Sequence, residues 1–563
     1  MNKKILMPLL ALATIIAFGS CSGKLKPLSE QYIKAEPQPL EAIGGQVPVT
    51  ISVTYPAKWF NKNAVVTVTP VLRYATGETW GTAYTYQGEK VKANNQAILY
   101  SSGGNVTLKS SFKYKPDMKK SELYLTFDAK IKNKAVKLPD IKIADGVIAT
   151  SALADAGTAN AAIGPDKFQR IIKEAYDANI LFLIQQAELR TKELNKEEVS
   201  EWKDIVENAN SAPNQNIAVE ISAYASPDGG VKLNDALAGK REANTTKYLE
   251  KELKKRNIDL PVDAHYTAQD WDGFQKLVSQ SNLQDKDLVL RVLSMYKDPV
   301  EREREIKNIS VVYKSLADEI LPQLRRSRLI ANIEIIGKSD DEISKLAQSN
   351  ANALTIEELL YAATLTNKIA DKESIYSKSS QLFPNDYRTW NNVGVERFAT
   401  GDLSKAEELF NKSNSVKSNS EANLNLGLIA LTKGDNAKAQ QLFGNASGVP
   451  ELAEALGVLY LEQGEYAKAV SSFGAAKTNN AALAQILSKD YSKASQTLNA
   501  VPNADGITDY LKAVVAARTN DTNGVVNNLK AAIAKKPELA KEAAIDLEFA
   551  KYAANSAFTG LVK

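Results

Sequence analysis

The chain has 563 residues, a net charge of +4, 44% hydrophobic residues and 24% charged residues. This composition is typical of folded globular protein, and the length allows about three or four domains of roughly 100–200 residues each. Because there is no dense basic block, the sequence predicts that the protein does not bind nucleic acid. One histidine and one cysteine exclude a zinc site built from clustered Cys and His ligands.

The first twenty residues are typical of a secretory signal peptide. Residues 2–4 are Asn-Lys-Lys, and the apolar run at 5–18 is shorter than a membrane span. The sequence Phe-Gly-Ser-Cys at 18–21 resembles a bacterial lipobox, which implies cleavage before Cys21 and lipidation of that residue. The alternative is an ordinary signal peptide with a leftover thiol. Each buried CH₂ of an acyl chain contributes about 0.8 kcal/mol, so several chains would hold the protein on a membrane.

Two segments follow the signal peptide. Residues 21–42 contain three prolines and predict a lipidated tether, with Ser22 after the cysteine favouring the outer membrane and a periplasm-facing position. Residues 43–145 predict an all-β domain, an immunoglobulin-like sandwich. Its candidate strands are the apolar runs at 47–53, 65–72, 106–114, 123–131 and 136–143. Trp59 and Trp80 suggest a glycan-binding surface as an alternative to simple core packing.

The middle of the chain alternates between strand and helix patterns. Residues 146–164 are rich in Ala, Gly, Ser and Thr and predict a linker. A helical pattern opens at Pro165, and the apolar run at 180–184 predicts a buried strand. A charged helix is expected at about 196–208, before a strand in which apolar and polar residues alternate from Ile217 to Tyr224.

The stretch at 217–249 places polar residues where a core is expected. After the strand comes Ser226-Pro-Asp228-Gly-Gly, a loop sequence, and then a helix. On that helix Asn234 and Arg241 share the face that also carries Leu237, Ala238 and Leu249. A buried guanidinium is costly unless it is paired, so Arg241 predicts an anionic partner.

This strand, polar loop and N-x-x-L-A-x-x-R helix resemble the OmpA-like, peptidoglycan-binding domain. The resemblance implies that Arg241, with Asn234, contacts the diaminopimelate of the peptidoglycan peptide stem. In the family's usual turn an Asp also holds this group, whereas here Ser226 stands at that position and Asp228 lies two residues later. The domain is expected at 165–338, with a helical insertion at 260–322. The lone His265 in this insertion is interpreted as structural.

A periodic pattern begins after residue 339. Gly394, Gly427 and Gly457 recur at steps of 33 and 30 residues (394 to 427 to 457). Each is followed by a second Gly, an Ala and a Phe at similar offsets, namely Gly401, Ala406, Phe410; Gly434, Ala439, Phe443; and Gly464, Ala469, Phe473. The pattern resembles the tetratricopeptide repeat, which implies helix pairs stacked in a solenoid over 339–563, with a last capping helix at 538–553.

The sequence therefore predicts a multidomain protein without catalytic, metal or cofactor sites, since no nucleophile elbow, P-loop or metalloprotease motif is present. The leading hypothesis is a cell-envelope lipoprotein that associates with peptidoglycan and binds other envelope proteins through its tetratricopeptide groove. The alternative is an outer-membrane assembly or secretion scaffold whose OmpA-like domain no longer binds peptidoglycan, with Arg241 paired inside the protein, for example with Asp228.

Overall fold

The computed structural model describes residues 25–563, and the side chains of all of these except residues 310–312. The predicted signal peptide and Cys21 lie outside the described residues. The chain forms two compact units: one contains the N-terminal part up to Pro165 together with Tyr376–Lys563, and the other is Asp166–Ile375.

The N-terminal residues of the first unit form two sheets around one hydrophobic core. The strands are β1 (Ile33–Glu36), β2 (Gln46–Tyr55), β3 (Ala64–Tyr74), β4 (Gly77–Trp80), β5 (Tyr84–Gly88), β6 (Gln96–Ile98), β7 (Gly104–Lys113), β8 (Ser121–Ile131), β9 (Lys134–Lys137) and β10 (Ile141–Gly146). One sheet has the order β1-β2-β7, and the other has the order β10-β8-β3-β5-β6, with β4 and β9 added to β3 and β8. Every second residue of β2 is buried, as expected for a strand with one face on a core.

Two expectations for this region need correction. The segment predicted as a tether includes β1, which pairs antiparallel with β2, and its buried residues Leu25 and Leu28 pack in the sandwich core. The strand expected at 136–143 is two strands, β9 and β10. Pro139 lies between them, and a proline cannot donate a ladder hydrogen bond.

The second unit contains a four-stranded sheet with the order β11-β14-β12-β13. Its strands are β11 (Ile171–Leu181), β12 (Gln215–Tyr224), β13 (Val262–Thr267) and β14 (Arg326–Ile336). Only the β12–β13 pair is parallel. The helices between the strands are α1 (Thr191–Leu194), α2 (Glu197–Ser211), α3 (Val231–Lys255), α4 (Trp271–Gln280), α5 (Lys286–Met295), α6 (Pro299–Asn308), α7 (Ser310–Ser315) and α8 (Leu321–Leu324), with a π-helical turn at Leu316–Ile320.

Apolar residues of α2 and α3 pack on one face of this sheet, where Trp202 and Leu249 contact a core that includes Ile180 and Ile221. The helices of the predicted insertion form a separate core around Phe274 and Leu316. The insertion is not wholly helical, because its first residues form β13. In this short strand Val262 and Ala264, which pack against the sheet core, alternate with the exposed Asp263 and His265, a pattern limited to six residues.

The helix expected from Pro165 is absent among the described residues of that segment. No regular element is found between Pro165 and β11, which begins at Ile171, nine residues before the predicted strand at 180–184 (180 − 171), and ends at Leu181. The reason is that most of β11 is exposed: only Ala178 and Ile180 are buried. Lys, Glu and Ala therefore occupy the strand without the apolar periodicity that would reveal it.

The chain between 339 and 563 is almost entirely helical, and its first helices, up to Ile375, belong to the unit with the four-stranded sheet. The helices are α9 (Asp340–Ser349), α10 (Ile356–Ala362), α11 (Ile369–Leu382), α12 (Tyr387–Ala399), α13 (Leu403–Val416), α14 (Ser420–Thr432), α15 (Asn436–Gly444), α16 (Leu452–Glu462), α17 (Tyr466–Phe473), α18 (Asn479–Leu487), α19 (Tyr491–Asn499), α20 (Gly506–Arg518), α21 (Thr522–Lys535), α22 (Leu539–Ile545) and α23 (Ser556–Leu561). Instead of one capping helix at 538–553, the structure has α22 and a 3₁₀ helix at Leu547–Tyr552.

From α12 to α21 these helices form successive pairs with the packing that the repeat pattern predicts. A Cβ atom added to Gly427 would lie 2.3 Å from the ring of Phe443 in the paired helix, so only glycine permits this helix–helix distance. Gly434 turns the chain between the two helices with φ +73°. The phenylalanine thus packs on the glycine of its own repeat.

The sandwich and the repeats belong to one unit and are joined by charged contacts. Lys119 of the sandwich contacts Glu542 at 2.5 Å. Arg518 of α20 contacts both Glu41, at 3.2 Å, and the buried Glu548, at 2.5 Å. Burial of Glu548 is offset by this guanidinium, as buried carboxylates require.

Candidate functional site

The polar residues predicted at one end of the four-stranded sheet do come together. Asn234, in the first turn of α3, donates hydrogen bonds from Nδ2 to the carbonyls of Ser226 (2.9 Å) and Gly229 (2.8 Å). The side chain is 3% exposed. Asn234 therefore fixes the loop between β12 and α3 from inside, and its amide is occupied by that task.

Asp228 pairs with an arginine that the motif did not single out. Arg325, just before β14, donates from Nη2 to Asp228 Oδ2 at 3.0 Å and from Nε to Ser226 Oγ at 3.2 Å. The Ser226 hydroxyl also donates to Asp228. The charged side chains are only 11% and 15% exposed. The next residue, Arg326, pairs with Asp270 at 2.9 Å.

Arg241 is the most enclosed of the candidate residues, with 1% exposure. Its guanidinium donates to three main-chain carbonyls, those of Gln186 (3.0 Å), Tyr224 (2.8 Å) and Leu183 (3.3 Å). It also lies over the ring of Phe182, 5.0 Å from the centroid. Burial, reinforced by the positive charge of Arg325, lowers the pKa of Arg241 to about 10.

Arg241 therefore has neither the anionic partner nor the Asp228 pairing that the sequence suggested. Its acceptors are carbonyl oxygens, which every residue carries, so no sequence signal marks them. Arg325 lies outside the motif, in the arginine-rich sequence Arg325-Arg326-Ser327-Arg328 at the start of β14. In the described structure Ser226, Asp228 and Asn234 are linked by hydrogen bonds, whereas Arg241 donates to separate carbonyls. Ser226, Asn234 and Arg241 are buried, so an incoming carboxylate could reach the guanidinium only if the loops moved.

The other residues noted in the sequence are His265, Trp59 and Trp80, and their contacts do not form a recognisable catalytic arrangement. His265 Nε2 lies 2.8 Å from Ser222 Oγ and 3.4 Å from Glu220 Oε1. Both contacts use the same ring nitrogen, unlike a triad, in which a carboxylate holds one nitrogen and a hydroxyl uses the other. Trp59 stacks on Tyr55 at 5.1 Å, whereas Trp80 is 57% exposed.

A second site lies in the repeats, where the predicted linker occupies the groove. We call residues 150–165 the strap. Asn425 of α14 accepts a hydrogen bond from the main-chain N–H of Ala162 (2.7 Å) and donates one to its carbonyl (2.9 Å). Asn392 of α12 makes the same paired contact with Gly164, at 2.7 and 3.0 Å.

Further contacts extend along the strap. Asn480 of α18 accepts from the N–H of Asp155 (3.1 Å) and donates to its carbonyl (2.9 Å). Asn391 adds a bond to the carbonyl of Ala162 at 2.8 Å. Three asparagines on three different helices thus each hold both polar groups of one strap residue. The sequence predicted the groove but not its occupant, because Ala, Gly, Ser and Thr are equally typical of an unstructured linker.

One carboxyl in this groove titrates near neutrality. Burial, together with the nearby Asp155, raises the pKa of Glu462 from its ordinary value of 4.5 to about 7. The folded state therefore holds this proton more tightly than the unfolded state. The stability that this provides is present below about pH 4.5 and is lost as the pH rises through about 7.

We expect Glu462→Gln to remove that pH dependence. The melting temperature of the variant, relative to that of the wild type, should be higher at pH 8 than at pH 5. Scanning calorimetry of the first unit's unfolding transition measures it. Parallel pH profiles for the two proteins would contradict this assignment. Since only the difference is compared, other titrating groups cancel.

No group of His, Cys, Asp or Glu side chains between residues 25 and 563 is arranged to hold a metal ion. No helix in the same part of the chain is both long enough and apolar enough to cross a membrane.

No protein-family model matches the chain, and no curated protein matches it. Among solved structures, it is similar to the Cut9–Hcn1 hetero-tetramer of the APC/C, with 14% identity over 65% of this chain and 81% of that chain and a TM-score of 0.31. A tetratricopeptide repeat protein from Parabacteroides merdae gives 13% identity over 37% of this chain and 90% of that chain, with a TM-score of 0.28. Pseudomonas aeruginosa pilF gives 16% identity over 39% of this chain and 100% of that chain, with a TM-score of 0.28. At these values the similarities carry no conclusion about what the chain binds.

Proposed function

We propose that the protein is a non-enzymatic scaffold of the bacterial cell envelope, anchored to the outer membrane through a lipidated Cys21, facing the periplasm, and binding other envelope proteins through its repeats. The observation that carries this proposal is the strap. A groove that holds a segment of chain by paired contacts to its main chain is a peptide-binding surface. The β-sandwich, which we assign as immunoglobulin-like, contacts the helical repeats within the same unit and contributes further surface.

We further propose that the sheet unit has the OmpA-like fold without the wall-binding activity. The enclosed position of Arg241 supports this choice over the peptidoglycan hypothesis. Its guanidinium already donates to three carbonyls, and Asp228 is already paired with Arg325. A peptide stem would have to displace these contacts. The convergence of Ser226, Asp228 and Arg241 at one end of the sheet keeps wall binding as the second candidate.

Photo-crosslinking in living cells tests the two candidates together. A crosslinking amino acid is placed on the exposed surface of the repeats at Lys438, and a second at Lys232 beside the β12–α3 loop. We expect discrete protein adducts from position 438 and no muropeptide adduct from position 232. Muropeptide adducts at 232 without protein adducts at 438 would overturn the proposal.

Sedimentation with purified sacculi provides the matching measurement in vitro. We expect all three proteins to remain in the supernatant: the wild type, Asp228→Asn and the exposed control Lys240→Ala. The second candidate requires the wild type to sediment, and Asp228→Asn to sediment substantially less than Lys240→Ala, since charge-assisted contacts to the ligand would be lost.

A further inference from the structure

From Asp155 to Gly164 the strap is held mainly by its main chain. Its buried side chains in this part are those of alanines, Ala156, Ala159 and Ala162, each at most 6% exposed, and burial of so few methyl groups contributes little. The hydrogen bonds from Asn392, Asn425 and Asn480 carry the recognition. Two strap side chains also make polar contacts, Thr150 with the buried Glu548 and Asn160 with Glu454.

Two positions nevertheless restrict side-chain size. A Cβ atom added to Gly164 would lie 2.9 Å from Cβ and Cγ of Arg388 and 3.1 Å from its Cα. Ala162 is 0% exposed, so a larger side chain has no space there. The groove therefore selects Ala and Gly two residues apart. The third contact point, Asp155, lies seven residues before Ala162 (162 − 155), and a 3₁₀ turn at Ala156–Thr158 lies between them.

We propose that the groove is a binding site for an extended partner segment with Ala-x-Gly at these two positions, and that the strap is its internal competitor. This proposal rests on the scaffold function proposed above and names the partner chemistry and the control of that same site. The partner segment forms the same paired hydrogen bonds to Asn425 and Asn392 and replaces the strap in the groove.

The effective concentration of the strap sets how strongly it competes with a partner. A tethered segment acts at an effective concentration in the millimolar range, so a free peptide of similar affinity cannot displace it at micromolar concentration. A partner binds only if it adds contacts outside the groove or if the strap is weakened. Weakening the strap without altering the groove should therefore expose the site.

The test uses the full mature chain and a fluorescent synthetic peptide with the sequence of residues 152–165. Gly164→Leu weakens the strap, because the new side chain clashes with Arg388. Gly157→Leu is the matched control: it makes the same chemical change within the strap at an exposed residue, where an added Cβ meets only the side chain of Asp155, at 3.1 Å. Ala162→Glu is a second strap variant, should Gly164→Leu fold poorly.

We expect the peptide to bind Gly164→Leu at least about tenfold more tightly than it binds the wild type or Gly157→Leu, as measured by fluorescence anisotropy. Adding Asn425→Ala to Gly164→Leu should abolish this gain. Equal binding by the wild type and both strap variants, or a gain that survives Asn425→Ala, would overturn the proposal. If protein adducts form in cells but the peptide shows no gain, the scaffold function stands and only the competing strap is wrong.

Discussion

Replacing Arg241 with methionine is expected to destabilise the sheet unit by about 2–4 kcal/mol. The substitution leaves the carbonyls of Gln186, Tyr224 and Leu183 without their donor, and each unsatisfied buried acceptor costs about 1–3 kcal/mol. Part of this cost is offset because a buried charge is also removed. Hydrogen exchange of β12 and α3 measures the effect within this unit, since a chain with two units need not unfold in one step.

Lys240→Ala provides the control for this prediction. Lys240 is the neighbouring residue on α3 and is exposed, so its replacement should change stability by no more than about 0.5 kcal/mol. If Arg241→Met proves equally neutral, the guanidinium does not hold the loop together, and the buried charge would have to serve a ligand. The result also decides how wall-binding assays are read, because a destabilising variant cannot report on binding alone.

The residues of this site could be predicted from the sequence, but their partners could not. Helical periodicity correctly placed Asn234 and Arg241 on the buried face of α3, and the β12 strand before them is where the alternation indicated. What periodicity cannot show is which groups meet a buried cation. Main-chain carbonyls of residues 183–186 are invisible to motif reasoning, and the Asp228–Arg325 pair joins residues 97 positions apart.

The fold shows a similar division. The glycine and phenylalanine positions of the repeats were predictable because one steric requirement recurs in three successive pairs of helices, α12–α13, α14–α15 and α16–α17. The strap was not, since its recognition depends on asparagines distributed over α12, α14 and α18, and amide side chains at helix surfaces are common. β11 was missed for a related reason: an exposed strand carries no apolar period.

The second large effect is expected at Gly427. Replacing it with valine should destabilise the repeats by about 3 kcal/mol or more, because the first added carbon already lies 2.3 Å from the Phe443 ring, which is 3% exposed. Helix propensity alone would favour a residue other than glycine by up to about 1 kcal/mol, so the steric term must exceed this gain. Thermal unfolding of the first unit measures the change.

A double-mutant cycle identifies the cause. Phe443→Leu shortens the side chain that occupies the space above Gly427, so Gly427→Val should cost less in that background, with a coupling energy of at least about 1 kcal/mol. Gly444→Ala, where an added Cβ meets nothing within 4 Å, should leave stability unchanged or slightly increased. An additive cycle would mean that Gly427 serves the turn or the backbone rather than the contact between helices. Because neighbouring repeats stabilise one another, a true loss of this contact should also increase hydrogen exchange in α12 and α16.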